Sequence, residues 1–129
     1  MKQLMIFTMV LFLMTGVVYA KDYEVTKKAG DYNVLIKIDK NPPIAGENNM
    51  EIAVTDASGK AITDAKVALS YSMPAMAGMP AMSYKTNADL KGTVYRTKVD
   101  YSMSGSWNNE IRITQGGKTV SARFTIDAK

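Results

Sequence analysis

The chain has 129 residues, enough for one modest domain, with 16 Lys and Arg against 12 Asp and Glu for a net charge of +4. It has neither cysteine nor histidine, which excludes disulfides, lipid attachment through cysteine, conventional zinc sites and every nucleophilic dyad or triad built on Cys or His. Its cations are scattered among acids and never form a block, so the charge describes a solvated surface and no nucleic-acid partner is expected.

In chain order, the first twenty residues read as an export signal that precedes the domain. Lys2 supplies a positive start, Leu4 to Val18 is apolar apart from Thr8, Thr15 and Gly16, and Val18-Tyr19-Ala20 offers a cleavage site. A signal helix over residues 1–20, removed after Ala20, leaves Lys21–Lys129 as a periplasmic protein. The alternative is an uncut membrane anchor, for which the run falls short of the roughly 20 apolar residues of a comfortable span. Residues 21–30 are polar and aperiodic, either a flexible lead-in or a short edge strand.

Residues 31–129 form the expected domain. Tyr32, Val34, Ile36 and Ile38 alternate with Asn33, Lys37 and Asp39, which is the period of a strand, and Asn41-Pro42-Pro43 ends it. Met50, Ile52 and Val54 mark a second strand, closed by the turn cluster Asp56-Ala57-Ser58-Gly59. Val67, Leu69 and Tyr71 mark a third, and Met73 keeps their parity. A short return strand over Ser83–Thr86 and a polar turn over Asn87–Gly92 are expected next. Tyr95, Thr97 and Val99 then share a face whose parity continues through Tyr101 and Met103. Trp107, Ile111 and Ile113 follow, and Gly116-Gly117 is a hairpin signal before Val120, Ala122, Phe124 and Ile126. Short strands at roughly ten-residue intervals, with no helical period outside the signal, predict an all-β fold. We expect an immunoglobulin-like β-sandwich of about seven antiparallel strands without its disulfide, with Trp107 as core anchor.

Between the third strand and its return lies Tyr71-Ser-Met-Pro-Ala-Met-Ala-Gly-Met-Pro-Ala-Met-Ser-Tyr84. Met73, Met76, Met79 and Met82 recur every third residue. Pro74, Pro80 and Gly78 argue against a helix. Two geometries remain. A polyproline II run would put all four thioethers on one edge, neighbours roughly 9 Å apart at a rise of about 3.1 Å per residue. A tight turn at Ala77-Gly78 would instead set Met76 against Met79.

Thioethers are soft donors that select Cu(I), and by the same softness Ag(I), over harder ions. Met73, Met76, Met79 and Met82 are therefore candidate metal ligands, with Met103 a fifth if its corner lies at the same end of the sandwich. Trp107 either shields such a site or lends a ring face to the cation, against its structural role in the core. Tyr71, Tyr84 and Tyr101 flank it. Two other uses of the loop stay open: docking onto an apolar patch of a partner, and capping the sandwich. The carboxylate pairs Asp56 with Asp64 and Glu47 with Glu51 sit in turn or edge contexts that favour solvation, and no phosphate loop or nucleophile motif is present. An enzyme is not expected.

Four segments carry a resemblance to a known family: Asn41-Pro42-Pro43 with Gly46-Glu47-Asn48; Thr55-Asp56-Ala57-Ser58-Gly59-Lys60 with Ala65-Lys66-Val67; Ser72-Met73-Pro74-Ala75-Met76; and Met103-Ser104-Gly105-Ser106-Trp107. In this order they resemble the YtkA-like/FixH-like family of small exported domains, over about Tyr32 to Phe124. The resemblance implies an immunoglobulin-like β fold and an association with copper handling, heavy-metal efflux or haem-copper oxidase assembly. Its implied partner is an envelope protein, either an efflux adaptor or an oxidase assembly component. Relatives often carry a histidine in the methionine loop. This chain has none, which leaves a thioether-only site.

Overall fold

The computed structural model describes residues 23–129. The expected signal helix over residues 1–20 lies outside them. Eight strands follow in chain order: β1 (Tyr23–Ala29), β2 (Tyr32–Ile38), β3 (Gly46–Thr55), β4 (Lys66–Met73), β5 (Met82–Lys91), β6 (Val94–Tyr101), β7 (Gly105–Gln115) and β8 (Lys118–Ala128). Among the described residues there is no helix, and so none long and apolar enough to cross a membrane.

All pairings are antiparallel, in the order β1-β2-β3-β6-β5-β4-β7-β8. β5 joins the two halves. Met82–Ala88 pair with β4, and Asp89–Lys91 then pair with β6. The outer strands β1 and β8 come into contact, which nearly closes the sheet into a barrel. At that seam Tyr32 donates its hydroxyl proton to the Gln115 amide oxygen, and Lys118 lies 3.8 Å from the Asp31 carboxylate. Ala45 N–H donates to the Lys129 carbonyl at 3.1 Å, and Lys129 N–H to that of Pro43 at 2.9 Å.

Alternation placed the core well. Val34, Ile36, Ile38, Met50, Ile52, Val54, Leu69, Tyr95, Val99, Trp107, Ile111, Ile113 and Ile126 are all buried. Each such large apolar side chain contributes about 1.5–3 kcal/mol by leaving water. The Gly116-Gly117 hairpin closes on Gln115 and Lys118 with positive φ at both glycines, as a two-residue turn between twisted strands requires.

Two expectations need correction. There are eight strands, not about seven, because residues 21–30 contain β1. Its seven residues pair in full with β2, and Tyr23 and Val25 pack on the core, so backbone bonding holds a segment whose Lys27 and Lys28 obscure the period. The polar turn expected over Asn87–Gly92 is mostly strand. β5 runs to Lys91, and only Gly92 and Thr93 turn. Ladder bonds to β4 and then β6 hold it there, and no apolar alternation is needed.

Candidate functional site: a methionine hairpin over an aromatic floor

β4 and β5 end their ladder on a methionine rung, Met73 opposite Met82. Pro74 and Pro80 then interrupt it, since proline has no N–H to donate. Pairing resumes once at Met76 and Met79, whose backbones exchange two hydrogen bonds of 2.9 and 2.8 Å around Ala77-Gly78. Gly78 takes φ +78°, a left-handed value that glycine adopts without strain. Of the two geometries left open by the repeat, the loop adopts the tight turn, and the two Met-Pro-Ala-Met halves run back along each other. Residues 74–81 are all exposed. Met76 is 50% and Met79 36% accessible.

The base of the hairpin is different. Met73 is only 2% exposed and belongs to the core. Its ε-methyl lies against Gly105, where an added Cβ would approach to 3.0 Å, so glycine lets β7 begin against that methyl group. Met82 is half-buried, and the Ser102 hydroxyl donates to its sulfur at 3.4 Å. The Tyr84 hydroxyl stands 3.4 Å from the same Ser102 oxygen. Met103, also half-buried on the core, has its carbonyl held by the Trp107 indole N–H at 3.0 Å. The corner between β6 and β7 therefore lies at the hairpin's end of the barrel. Met73 and Met82 face each other at the base and Met103 stands in the adjoining corner next to Ser102, while Met76 and Met79 form a separate exposed pair at the tip.

Beneath them is a floor of rings. Trp107 is fully enclosed, with centroids 5.4 Å from Tyr101, 5.9 Å from Tyr71 and 6.0 Å from Tyr84. Tyr71 also packs edge-on against Tyr101 at 5.5 Å. This is the core role for Trp107, with neighbouring rings over the indole. Sequence reasoning missed Asn109, which is buried beside it. The Tyr101 hydroxyl donates to its Oδ1 at 2.8 Å, and its Nδ2 donates to the Trp107 carbonyl at 3.0 Å. Burial pushes the Tyr101 hydroxyl well above its usual pKa, so it stays a donor. The available signal was parity: Asn109 stands on the inward register between Trp107 and Ile111.

Electrostatically this end is bare. No residue from Ser70 to Tyr84, nor from Tyr101 to Asn109, is an Asp, Glu, Lys, Arg or His. Among the described residues no three His, Cys, Asp or Glu side chains group to hold an ion. The carboxylates noted in the sequence are occupied elsewhere. Glu51 meets Arg96 at 2.9 Å, Glu47 meets Lys98 at 3.9 Å, and Asp64 accepts from Gln115 at 2.6 Å. Asp56 caps its turn by accepting from Ser58 and Lys60. What this end offers is polarisable sulfur, two atoms open to solvent and others behind them. Such a donor set suits a soft, low-charge ion and offers little to a hard one.

Comparison with known proteins adds three findings. The profile of the family described as YtkA-like matches residues 26–113. A solved structure, the soluble domain of PmoD from Methylocystis sp. (strain Rockwell), superposes with a TM-score of 0.55 at 10% identity, covering 81% of this chain and 97% of that one. At that identity the likeness speaks to the fold alone. A search of curated proteins finds no match.

Proposed function

The chain belongs to the YtkA-like family, and from that premise we propose that it is an exported, non-enzymatic periplasmic protein that carries a soft monovalent ion, Cu(I) or Ag(I), on its methionine hairpin. The supporting observation is the cross-strand pairing of Met76 with Met79 at an exposed tip. Directly paired residues on adjacent strands hold their Cβ atoms about 5 Å apart, and two flexible thioethers reach a common ion from there. Met82 and Met103, both half-buried, are the further donors in this reading, and Met73, enclosed in the core, joins only if the base opens. Bound through thioethers alone, the ion is weakly held and exchangeable, which fits delivery or buffering within copper handling, metal efflux or oxidase assembly. We further read the halves β1-β2-β3-β6 and β5-β4-β7-β8 as the sheets of an immunoglobulin-like sandwich.

A second reading has its own support. The tip from Pro74 to Ala81 is exposed and wholly apolar, which suits metal-free docking onto an envelope complex. Titration with Cu(I) and, separately, Zn(II) separates the two. Uptake of Cu(I) alone, lost in Met76→Leu/Met79→Leu, supports the metal reading. Leucine keeps the apolar bulk, so a double variant that still captures an efflux adaptor or oxidase component, with no Cu(I) uptake by the parent, supports docking.

A further inference from the structure

The six methionines among the described residues sit in three environments. Met50 and Met73 are sealed in the core at 1% and 2% exposure. Met82 and Met103 are half-buried, and the Ser102 hydroxyl occupies part of the Met82 sulfur's lone-pair density. Met76 and Met79 stand open at the tip, flanked by exposed Pro74, Ala75, Pro80 and Ala81, and neither sulfur accepts a hydrogen bond from the described residues. Thioether oxidation follows access and electron availability, and its product is a polar, chiral sulfoxide that disrupts packing only where the side chain is packed.

From this gradation we infer that Met76 and Met79 form an oxidative modification site that reacts with a peroxide ahead of the other described methionines. In each event the thioether sulfur attacks one peroxide oxygen and the O–O bond breaks. Sulfur gains an S=O bond and loses two electrons, and the second oxygen leaves with both protons as water. The fold tolerates the change. The tip is held by backbone bonds between Met76 and Met79 and by Gly78, none of which involves sulfur. Its donor character, however, reverses from soft sulfur to hard oxygen. The consequence, that peroxide switches off soft-ion binding, rests on the metal-binding reading above, whereas the site of modification does not.

The test treats the full chain with graded hydrogen peroxide, maps sulfoxides by peptide mass spectrometry, and follows thermal unfolding and Ag(I) titration on the same samples. Oxidation at Met76 and Met79 on the order of tenfold faster than at Met50 and Met73, which react only after local opening, is expected. Met82 and Met103 should fall between. Tip-oxidised protein keeps the parent unfolding midpoint and loses Ag(I) binding. Core methionines keeping pace with the tip, or a midpoint that falls as the tip oxidises, would overturn the modification site. Equal Ag(I) binding before and after oxidation would overturn the switch. If the reduced protein itself takes up no Ag(I), the metal reading and its switch both fail, and the order of oxidation still decides the modification site.

Discussion

The Ser102 hydroxyl donates to the Met82 sulfur across 3.4 Å, joining the corner before β7 to the base of the methionine hairpin. An ion that recruits Met82 has to share that sulfur with the hydroxyl. Ser102→Ala removes the competitor at an exposed neutral hydrogen bond worth about 0.5 kcal/mol. Soft-ion affinity should rise about two- to threefold in competition titrations, with the unfolding midpoint nearly unchanged. Weaker binding would mean that the hydroxyl holds Met82 in place for the ion.

Gly78→Val tests the turn apart from the sulfurs. Nothing lies within 4 Å of an added Cβ, so the cost comes from φ +78° alone, about 1–2 kcal/mol for a residue with a side chain. Pairing of Met76 with Met79 should loosen and affinity fall about tenfold, while denaturant unfolding of the core changes much less. Gly78→Asn, which tolerates left-handed backbone better, should fall between.

Asn109→Ala removes the acceptor of the Tyr101 hydroxyl and the donor to the Trp107 carbonyl, all buried. Leaving such groups unsatisfied costs about 1–3 kcal/mol, read as a lower urea midpoint. Because the Trp107 indole anchors the Met103 carbonyl, indole fluorescence should change as well.

The pH profile has two edges. At Asp39 partial burial opposes ionisation, but the backbone and side-chain N–H groups of Asn49 and the Lys40 ammonium outweigh it and hold the carboxyl below its usual value of 3.8. At Asp56 the Ser58 hydroxyl, then the Lys60 and Ser58 backbone N–H groups, do the same. A depressed folded pKa gives stability that is present above the ordinary carboxylate value and lost as pH falls through the lower folded one. Tyr101 is raised from 10.0, so its contribution is full below that value and is lost as pH climbs above it. Unfolding midpoints should therefore decline below about pH 4 and above about pH 10. Asp39→Asn should flatten the acid edge. Soft-ion binding should stay level between about pH 5 and 8, since thioethers do not titrate there.

Alternation was enough to read the inward faces of β2, β3, β4, β7 and β8, because one face of each strand is apolar. β1 and the far end of β5 were harder to read because neighbouring backbones hold them in place and their own side chains contribute little. Lys27 and Lys28 hide the period of β1, and β5 beyond Thr86 is largely solvated. At the candidate site the repeat narrowed the loop to two conformations, and the Met76–Met79 bonds decide between them. Met73 kept the parity of Tyr71, and that parity carried it into the core. Asn109 escaped notice because a polar residue on an inward register is legible only once its partners, Tyr101 and Trp107, are known to meet it.

X-ray absorption at the copper edge of the Cu(I)-loaded protein tests the central claim most directly. A shell of about two to three sulfur atoms, with nitrogen and oxygen absent, is expected for the parent, and its collapse for Met76→Leu/Met79→Leu. A shell dominated by nitrogen or oxygen, or a sulfur shell unchanged in the double variant, would contradict it.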